Sequence, residues 1–123
     1  MEEYEIELYQ KFDGTCPIAE FLNELKPKMW AKVARNIDVL AEHNINLREP
    51  LVKPMGEGIF ELRTQQGNDT TRIFYFFIVG KKIILTNGFV KKTQKTPQKY
   101  IEMAIEYKND YISRGEDNEM ERI

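Results

Sequence analysis

Three consecutive segments in the middle of the chain have the composition of β-strands and are separated only by short loops. Residues 59–65, 71–79 and 82–90 are rich in β-branched and aromatic side chains, as strands are. The intervening loops contain Gly67-Asn68 and Gly80-Lys81, and loops this short join neighbouring antiparallel strands. The sequence therefore predicts an antiparallel meander at the centre of the fold.

Further elements precede and follow the meander. Apolar side chains alternate with glutamates along Tyr4–Tyr9, which predicts a half-buried strand. Pro17 and Pro27 stand where two helices would begin, and the second of these ends at residues 43–44. A third helix is predicted with Thr96 as its cap and Pro97 as its first residue. We therefore predict an α+β fold with an N-terminal strand, two helices, a three-stranded antiparallel meander completing a mixed sheet, and a C-terminal helix.

The length of 123 residues corresponds to one domain. Residues 44–58 contain two prolines and two glycines, which predicts an extended connection and not a domain boundary. We assign residues 1–113 to a single domain and residues 114–123 to a charged tail that frays. Four large aromatic residues are expected in the core: Trp30, Phe74, Phe76 and Phe77.

A single cysteine, Cys16, and a single histidine, His43, exclude several classes of protein. One cysteine allows no internal disulfide and no cysteine-rich zinc site, and one histidine excludes a hydrolase that uses two imidazoles. We expect neither a metal nor a cofactor, and a reduced, cytoplasmic location. The longest apolar run, Ile73–Val79, is too short to cross a bilayer, and the acidic N-terminus is unlike a signal peptide. No membrane is therefore expected among its partners.

The charges are divided unevenly along the chain. Residues 53–95 hold eight cations and three anions, whereas the other residues hold ten cations and seventeen anions. This division favours a basic surface for a polyanion and an acidic remainder for a basic partner, although solvated lysines on a sheet are the alternative.

The expected hairpin register places two arginines side by side. With Gly80-Lys81 as a two-residue turn, Arg72 lies opposite Phe89. With residues 66–69 as the preceding loop, Arg63 lies opposite Arg72. The sequence therefore predicts a row of Arg63, Arg72 and Phe89 across three strands.

Two opposed arginines repel each other, and either a bound anion or a nearby carboxylate relieves that repulsion. The carboxylate would come from Glu61 or from the third helix, and both interpretations stay open. Phe89 offers a stacking surface for an unpaired base, or it belongs to the core. The basic segment that contains Lys91, Lys92 and Lys95 leads into the start of the third helix, a region suited to phosphate.

Three stretches of this sequence resemble a known family. They are Gly58–Arg63, Thr71–Phe76 and Gly88–Pro97, and together they resemble the phage-derived, HigB-type branch of the RelE/ParE toxin superfamily. The resemblance implies a small RelE-like fold and the toxin of a type II toxin–antitoxin pair. It also implies an mRNA endoribonuclease that generally depends on the ribosome, and a helix-turn-helix, HigA-like antitoxin as partner.

The same resemblance assigns site residues. The arginines and basic pair of the family match Arg63, Arg72, Lys91 and Lys92, which are the candidate catalytic residues. Glu49 resembles the carboxylate that some relatives place before Pro-Leu as a general base. The histidine that other relatives carry near the end of the last strand has no counterpart in this sequence. We also assign RNA binding to three residues: Lys53, Phe89 and Lys95.

These residue types suit RNA cleavage without a metal. The 2′-hydroxyl attacks the adjacent phosphorus, which requires a base, a proton donor for the leaving 5′-oxygen, and cations. Arg63 and Arg72 suit the cationic role, since an arginine stays protonated. Lysines 91 and 92 suit proton transfer if neighbouring charges lower a lysine pKa, and Glu49 and Glu61 are alternative bases.

Two other functions compete with this one. A ParE-like protein would inhibit DNA gyrase and cut no RNA, and a non-catalytic module would only bind RNA or the ribosome. The acidic remainder of the chain is the expected surface for a basic antitoxin. Its helical carboxylates include Glu42, Glu102, Glu106 and Asp110.

Overall fold

The computed structural model describes residues 2–91 and 95–122, with side chains as far as residue 115. Lys92 therefore lies outside the described residues. The elements are β1 (Glu5–Leu8), α1 (Pro17–Asn23), α2 (Pro27–His43), a 3₁₀ turn (Asn44–Asn46), β2 (Val52–Gly56), β3 (Ile59–Gln66), β4 (Asp69–Ile78), β5 (Lys82–Lys91) and α3 (Gln98–Arg122). The predicted α+β class, with an N-terminal strand and a C-terminal helix, is confirmed.

The five strands form one mixed sheet in the order β1-β5-β4-β3-β2. β1 runs parallel to β5, and the other neighbouring pairs are antiparallel. α1 and α2 pack on one face of the sheet, against a cluster that includes Leu62, Ile73 and Tyr75. α3 packs on the other face, where Ile101 and Ala104 join a second cluster. Successive side chains along a strand therefore point alternately toward α1 and α2 on one face and toward α3 on the other.

The extended connection predicted over residues 44–58 contains a fifth strand, β2. Among the described residues, β2 pairs only with β3 and lies at the edge of the sheet. Pro54 can occupy it because an edge strand has a side that needs no ladder hydrogen bond. The sequence pattern indicated a loop because proline and glycine are rare inside central strands.

The turn between β4 and β5 differs from the prediction. Ile78 pairs with Lys82, so three residues connect the strands and not the predicted two. Farther along, a β-bulge shifts the register by one residue. The two differences cancel, and Arg72 lies opposite Phe89 as predicted.

The turn between β3 and β4 is shorter than predicted, because Gln66 pairs with Asp69. Both strands lengthen by the same amount, so the register of the pair does not change. Arg63 lies opposite Arg72, as predicted.

Trp30 is 50% exposed, so its expected place in the core was wrong. The buried face of α2 is formed by Met29, Val33 and Leu40. Successive residues of a helix are about 100° apart around its axis, which leaves Trp30 at the margin of this face. Phe74 and Phe76 are fully buried, as expected.

α3 is anchored to the first strand through Asp110. The Tyr9 hydroxyl donates a hydrogen bond to Asp110 (2.5 Å), and Arg114 forms an ion pair with the same carboxylate (2.8 Å). The helix continues to Arg122, and the domain division at residue 113 and the fraying of residues 114–123 stay predictions. Within the described ranges, no helix has the length and apolar content that a membrane span requires.

Gly88 lies where α1 packs closest to β5, and we expect it to tolerate no side chain. A Cβ atom there would lie 2.7 Å from two ring carbons of Phe21 and 3.0 Å from the carbonyl oxygen of Arg72. We expect Gly88→Ala to lower the free energy of unfolding by about 1–3 kcal/mol, measured by urea denaturation. Gly115→Ala is the control, since a methyl group at that position would meet no other atom within 4 Å. Because alanine is a better helix former than glycine, the control should be at least as stable as the wild type. A Gly88→Ala variant as stable as the wild type would contradict the prediction.

Candidate functional site

A group of cations lies on the face of the sheet that α3 covers, beyond the start of that helix. Arg63 and Arg72 are paired across β3 and β4, and Phe89 continues the row on β5. Lys91 lies two residues beyond Phe89 and therefore on the same face. Lys53 reaches this face from β2, where it is paired with Glu61.

Glu61 connects the two arginines. Its side chain is 0% exposed, compared with 24% for Arg63 and 8% for Arg72. Arg72 Nη1 donates to Glu61 Oε1 at 2.5 Å, and Arg63 Nε donates to the same oxygen at 3.3 Å. The hydroxyl of Thr96 donates to Oε2 at 2.9 Å. One buried carboxylate therefore holds both guanidinium groups and the segment before α3.

The carboxylate interpretation of the arginine pair is therefore confirmed, since Glu61 offsets the repulsion between the two guanidinium groups. It offsets only part of the local charge. Lys53, Arg63, Arg72 and Lys91 surround this one carboxylate, and we define these four residues as the cationic cluster. The excess of positive charge in the cluster attracts anions.

Lys91 has a perturbed protonation equilibrium. Partial burial lowers its pKa, and the positive charges of Arg72, Arg63 and Lys53 lower the pKa further, whereas Glu61 opposes them. Both effects disfavour the charged ammonium group. The shift has the direction that proton transfer by a lysine requires.

An open depression of about 470 Å³ borders the cluster. Arg63 and Arg72 line it together with Asn36, Gln65 and Thr70. Arg72 Nε is buried and has no hydrogen-bond partner among the described residues. The guanidinium group of Arg72 therefore has donor capacity that Glu61 does not use.

Phe89 is in the core and does not offer a free ring face. It is 7% exposed and stacks on Tyr100, with ring centroids 4.4 Å apart and an interplanar angle of 4°. The ring of Phe74 also lies close to that of Phe89, with a distance of 6.0 Å between the ring centroids. The core interpretation therefore replaces the assignment of Phe89 to base stacking.

The remaining predicted residues have different positions. Glu49 is exposed and lines another depression, together with Phe60 and Tyr75, whereas the next residue, Pro50, lines the depression beside the arginines. Lys53 is exposed beside the cluster. Lys95 is exposed one residue before Thr96.

Thr96 belongs to the site, although its place in the sequence predicted a different role. The Thr-Pro pair predicted a helix cap, but α3 begins at Gln98 and the Thr96 hydroxyl contacts Glu61 instead. Glu61 was considered as a base or an ion-pair partner, and its complete burial favours the second role. The burial of Glu61 could have been predicted from strand alternation, which places its side chain on the same face of β3 as that of Ile59.

The comparisons with known proteins concern the part of the chain that carries this site. A family described as phage derived protein Gp49-like (DUF891) matches residues 20–109. The match includes the whole sheet except β1, and all the residues of the cationic cluster. A comparison with curated proteins gives no match. Because the family covers most of the chain, this protein belongs to the phage-derived Gp49-like proteins, a family associated with RelE-like toxin–antitoxin proteins.

Proposed function

We propose that this protein is the toxin of a type II toxin–antitoxin pair and that it cleaves mRNA on the ribosome. The association of its family with toxin–antitoxin proteins supports the toxin role. The observation that carries the nuclease role is the cationic cluster, in which two arginines held by a buried glutamate lie beside a lysine of lowered pKa. Because translated mRNA is in the cytoplasm, this function implies a cytoplasmic location for the protein.

The reaction follows from the groups in the cluster. The 2′-hydroxyl attacks the adjacent phosphorus and gives up its proton to water, while the bond to the 5′-oxygen breaks and that oxygen takes a proton from a general acid. A 2′,3′-cyclic phosphate and a 5′-hydroxyl end result. The pentacovalent transition state carries extra negative charge on its oxygens. Arg63 and Arg72 stabilise that charge, since a guanidinium group offers paired donors and stays protonated.

Lys91 serves as the general acid. The leaving 5′-oxygen must gain a proton as its bond to phosphorus breaks. Partial burial and the neighbouring cations lower the pKa of Lys91 and make its ammonium group a stronger acid. An arginine does not suit this role, because a guanidinium group is not a proton donor near neutral pH.

The antitoxin is a helix-turn-helix, HigA-like protein that binds away from the cluster. Two exposed carboxylates on α3, Glu102 and Glu106, offer a surface for a basic partner, whereas Glu42 lies on α2, across the sheet from them. Asp110 contributes less to such a surface, since Tyr9 and Arg114 already bind its carboxylate. A neutral or acidic antitoxin would contradict this arrangement.

Arg63→Ala tests the nuclease role in cells. Arg63 is more exposed than Arg72, so its loss disturbs the fold less. We expect induced wild-type protein to create new mRNA 5′ ends inside translated frames, and Arg63→Ala to reduce them by about 10²-fold, the typical effect of losing one donor to the transition state. The measurement is 5′-end mapping of total RNA.

Lys81→Ala is the matched control, because it also removes one cation but at the opposite end of β5. It should leave the cleavage pattern unchanged. Growth arrest without new 5′ ends would favour the gyrase-inhibitor alternative. Association with ribosomes without new ends would favour a non-catalytic binding module.

A further inference from the structure

Three cations outside the cluster lie on one flank of α2. Lys28, Lys32 and Arg35 are spaced four and then three residues apart, which places them on the same side of a helix. All three are exposed. We call this set the α2 flank.

Acids are sparse around the α2 flank: Asp38 follows Arg35 by three residues, and Asp69 lines a depression together with Lys28. Residues 26–37 contain no aspartate or glutamate, and none of the three cations forms an ion pair with a carboxylate in the described part of the chain. Cations near β1 behave differently. Lys81 pairs with Glu2, and Lys82 lies 3.6 Å from Glu7. The three cations of the flank therefore keep charge that a ligand can use.

The flank is joined to the end of β3. Lys32 Nζ donates to the carbonyl oxygen of Gln65 at 3.1 Å. One turn farther, Asn36 Nδ2 donates to the Thr64 hydroxyl at 2.9 Å. These two contacts fix the position of the flank relative to the arginines of the cluster.

The depression beside the cluster provides a path between the two faces of the sheet. The pairing of β2 with β3 reaches only to Leu62, and the last residues of β3 extend beyond it. The depression at this edge is lined by Asn36 from α2 and by Arg63 and Arg72 from the cluster. A strand of polyanion can therefore pass around the edge from the cluster to the flank.

We propose that the α2 flank binds the phosphate backbone of the same single-stranded RNA that enters the cationic cluster, an inference that rests on the proposed function. The rise of 1.5 Å per residue places Lys32 about 6 Å and Arg35 about 10 Å beyond Lys28 along the helix axis, so the flank offers a row of cations to a phosphate backbone. Trp30 lies on the opposite side of α2 from Lys32, so the flank has no aromatic platform. Binding there depends on phosphate charge and not on base identity.

The test measures the affinity of a labelled oligouridylate for the full chain as a function of salt concentration. The variant is Lys28→Gln/Arg35→Gln, which leaves the contact of Lys32 with Gln65 intact. We expect about 10-fold weaker binding near 0.1 M salt. The slope of log affinity against log salt should become smaller by about 1.4, since each phosphate contact on a single strand contributes about 0.7.

Lys11→Gln/Lys81→Gln is the control: it removes the same formal charge from two exposed positions elsewhere, one of which, Lys81, is paired with Glu2. Equal affinity and equal slope for the two double variants would overturn the inference. Binding of poly-glutamate as tightly as RNA, with the same loss in the flank variant, would also overturn it in favour of an acidic protein segment.

Failure of the flank proposal can be distinguished from failure of the proposed nuclease function, because one is tested by RNA binding and the other by mRNA cleavage. Internal mRNA cuts by the wild type, together with a flank variant that binds like its control, would reject the flank and retain the nuclease. RNA binding that depends on the flank, without any cuts, would reject the nuclease and retain the flank.

Discussion

Lys91→Met is expected to lower the rate of mRNA cleavage by about 10²–10⁴-fold, the range that a positioned general acid contributes. Methionine has a similar length and no proton to donate. Lys91 is only partly buried and lies at the last position of β5, so the fold should not change. The measurement is single-turnover cleavage of a defined mRNA on programmed ribosomes, with thermal unfolding as the check on folding.

Two further variants separate proton transfer from charge. Lys91→Arg keeps the positive charge but releases no proton near neutral pH, so we expect it to be as inactive as Lys91→Met. Lys81→Met, at the other end of β5, should cleave like the wild type. Full activity of Lys91→Arg would contradict the general-acid role and indicate a purely electrostatic one.

The pH dependence of cleavage gives an independent check. A general acid must be protonated, so the rate should fall as pH rises through the pKa of Lys91. Burial and the neighbouring cations lower that pKa, so the fall should come at lower pH than for an ordinary lysine. Arg63→Gln removes one of these cations and should move the fall to higher pH. If the cleavage rate fell at the same pH in Arg63→Gln and in the wild type, the assignment of the general acid to Lys91 would be contradicted.

The main elements could be predicted from the sequence because local signals coincide with them. Pro17 and Pro27 stand at the first positions of α1 and α2, and both turns of the meander contain glycine at positive φ. β2 could not be predicted in the same way. It becomes a strand through pairing with β3 at the edge of the sheet, and such pairing is a tertiary effect that local propensity does not contain.

The row of Arg63, Arg72 and Phe89 was predicted correctly for a partly wrong reason. The β4–β5 turn has one residue more than predicted, and the bulge near Ile73 compensates for it. A bulge has no reliable sequence signal, because the extra residue is accommodated by packing and not by its own type. Registers predicted from turn length alone are therefore least reliable at a distance from the turn.

The arginines were predictable, but the arrangement that holds them was not. Alternation places Glu61 on the face of Ile59 and Arg63, yet it does not indicate that one oxygen serves two guanidinium groups. The contact of Thr96 with Glu61 joins positions 35 residues apart, which no local pattern contains. The role of Phe89 could not be predicted either. The alternation of residues along a strand is the same whether an aromatic ring is buried in the core or exposed for base stacking, and only the structure shows that Phe89 is buried.

Glu61→Leu is expected to lower the free energy of unfolding by about 3–5 kcal/mol, because it leaves the guanidinium group of Arg72 buried without its partner. Arg72 is 8% exposed and its contact with Glu61 is 2.5 Å long. Loss of the carboxylate also releases Thr96 and the segment before α3. The measurement is urea denaturation at neutral pH, and Glu102→Leu, on the exposed side of α3, should change the free energy by no more than about 0.5 kcal/mol.

A double-mutant cycle with Arg72→Leu distinguishes the ion pair from general packing. Glu61→Leu leaves the guanidinium group of Arg72 without a carboxylate, and Arg72→Leu leaves Glu61 with only the longer contact to Arg63 and the Thr96 hydroxyl. The double variant leaves neither of these two buried groups. Since a buried ion pair replaced by apolar residues is often neutral in stability, the double variant should be more stable than both single variants. Its RNA cleavage should nevertheless be absent, because Arg72 stabilises charge in the transition state. Additive losses of stability would show that the two side chains contribute independently, and the buried pair would then not explain how the site is held together.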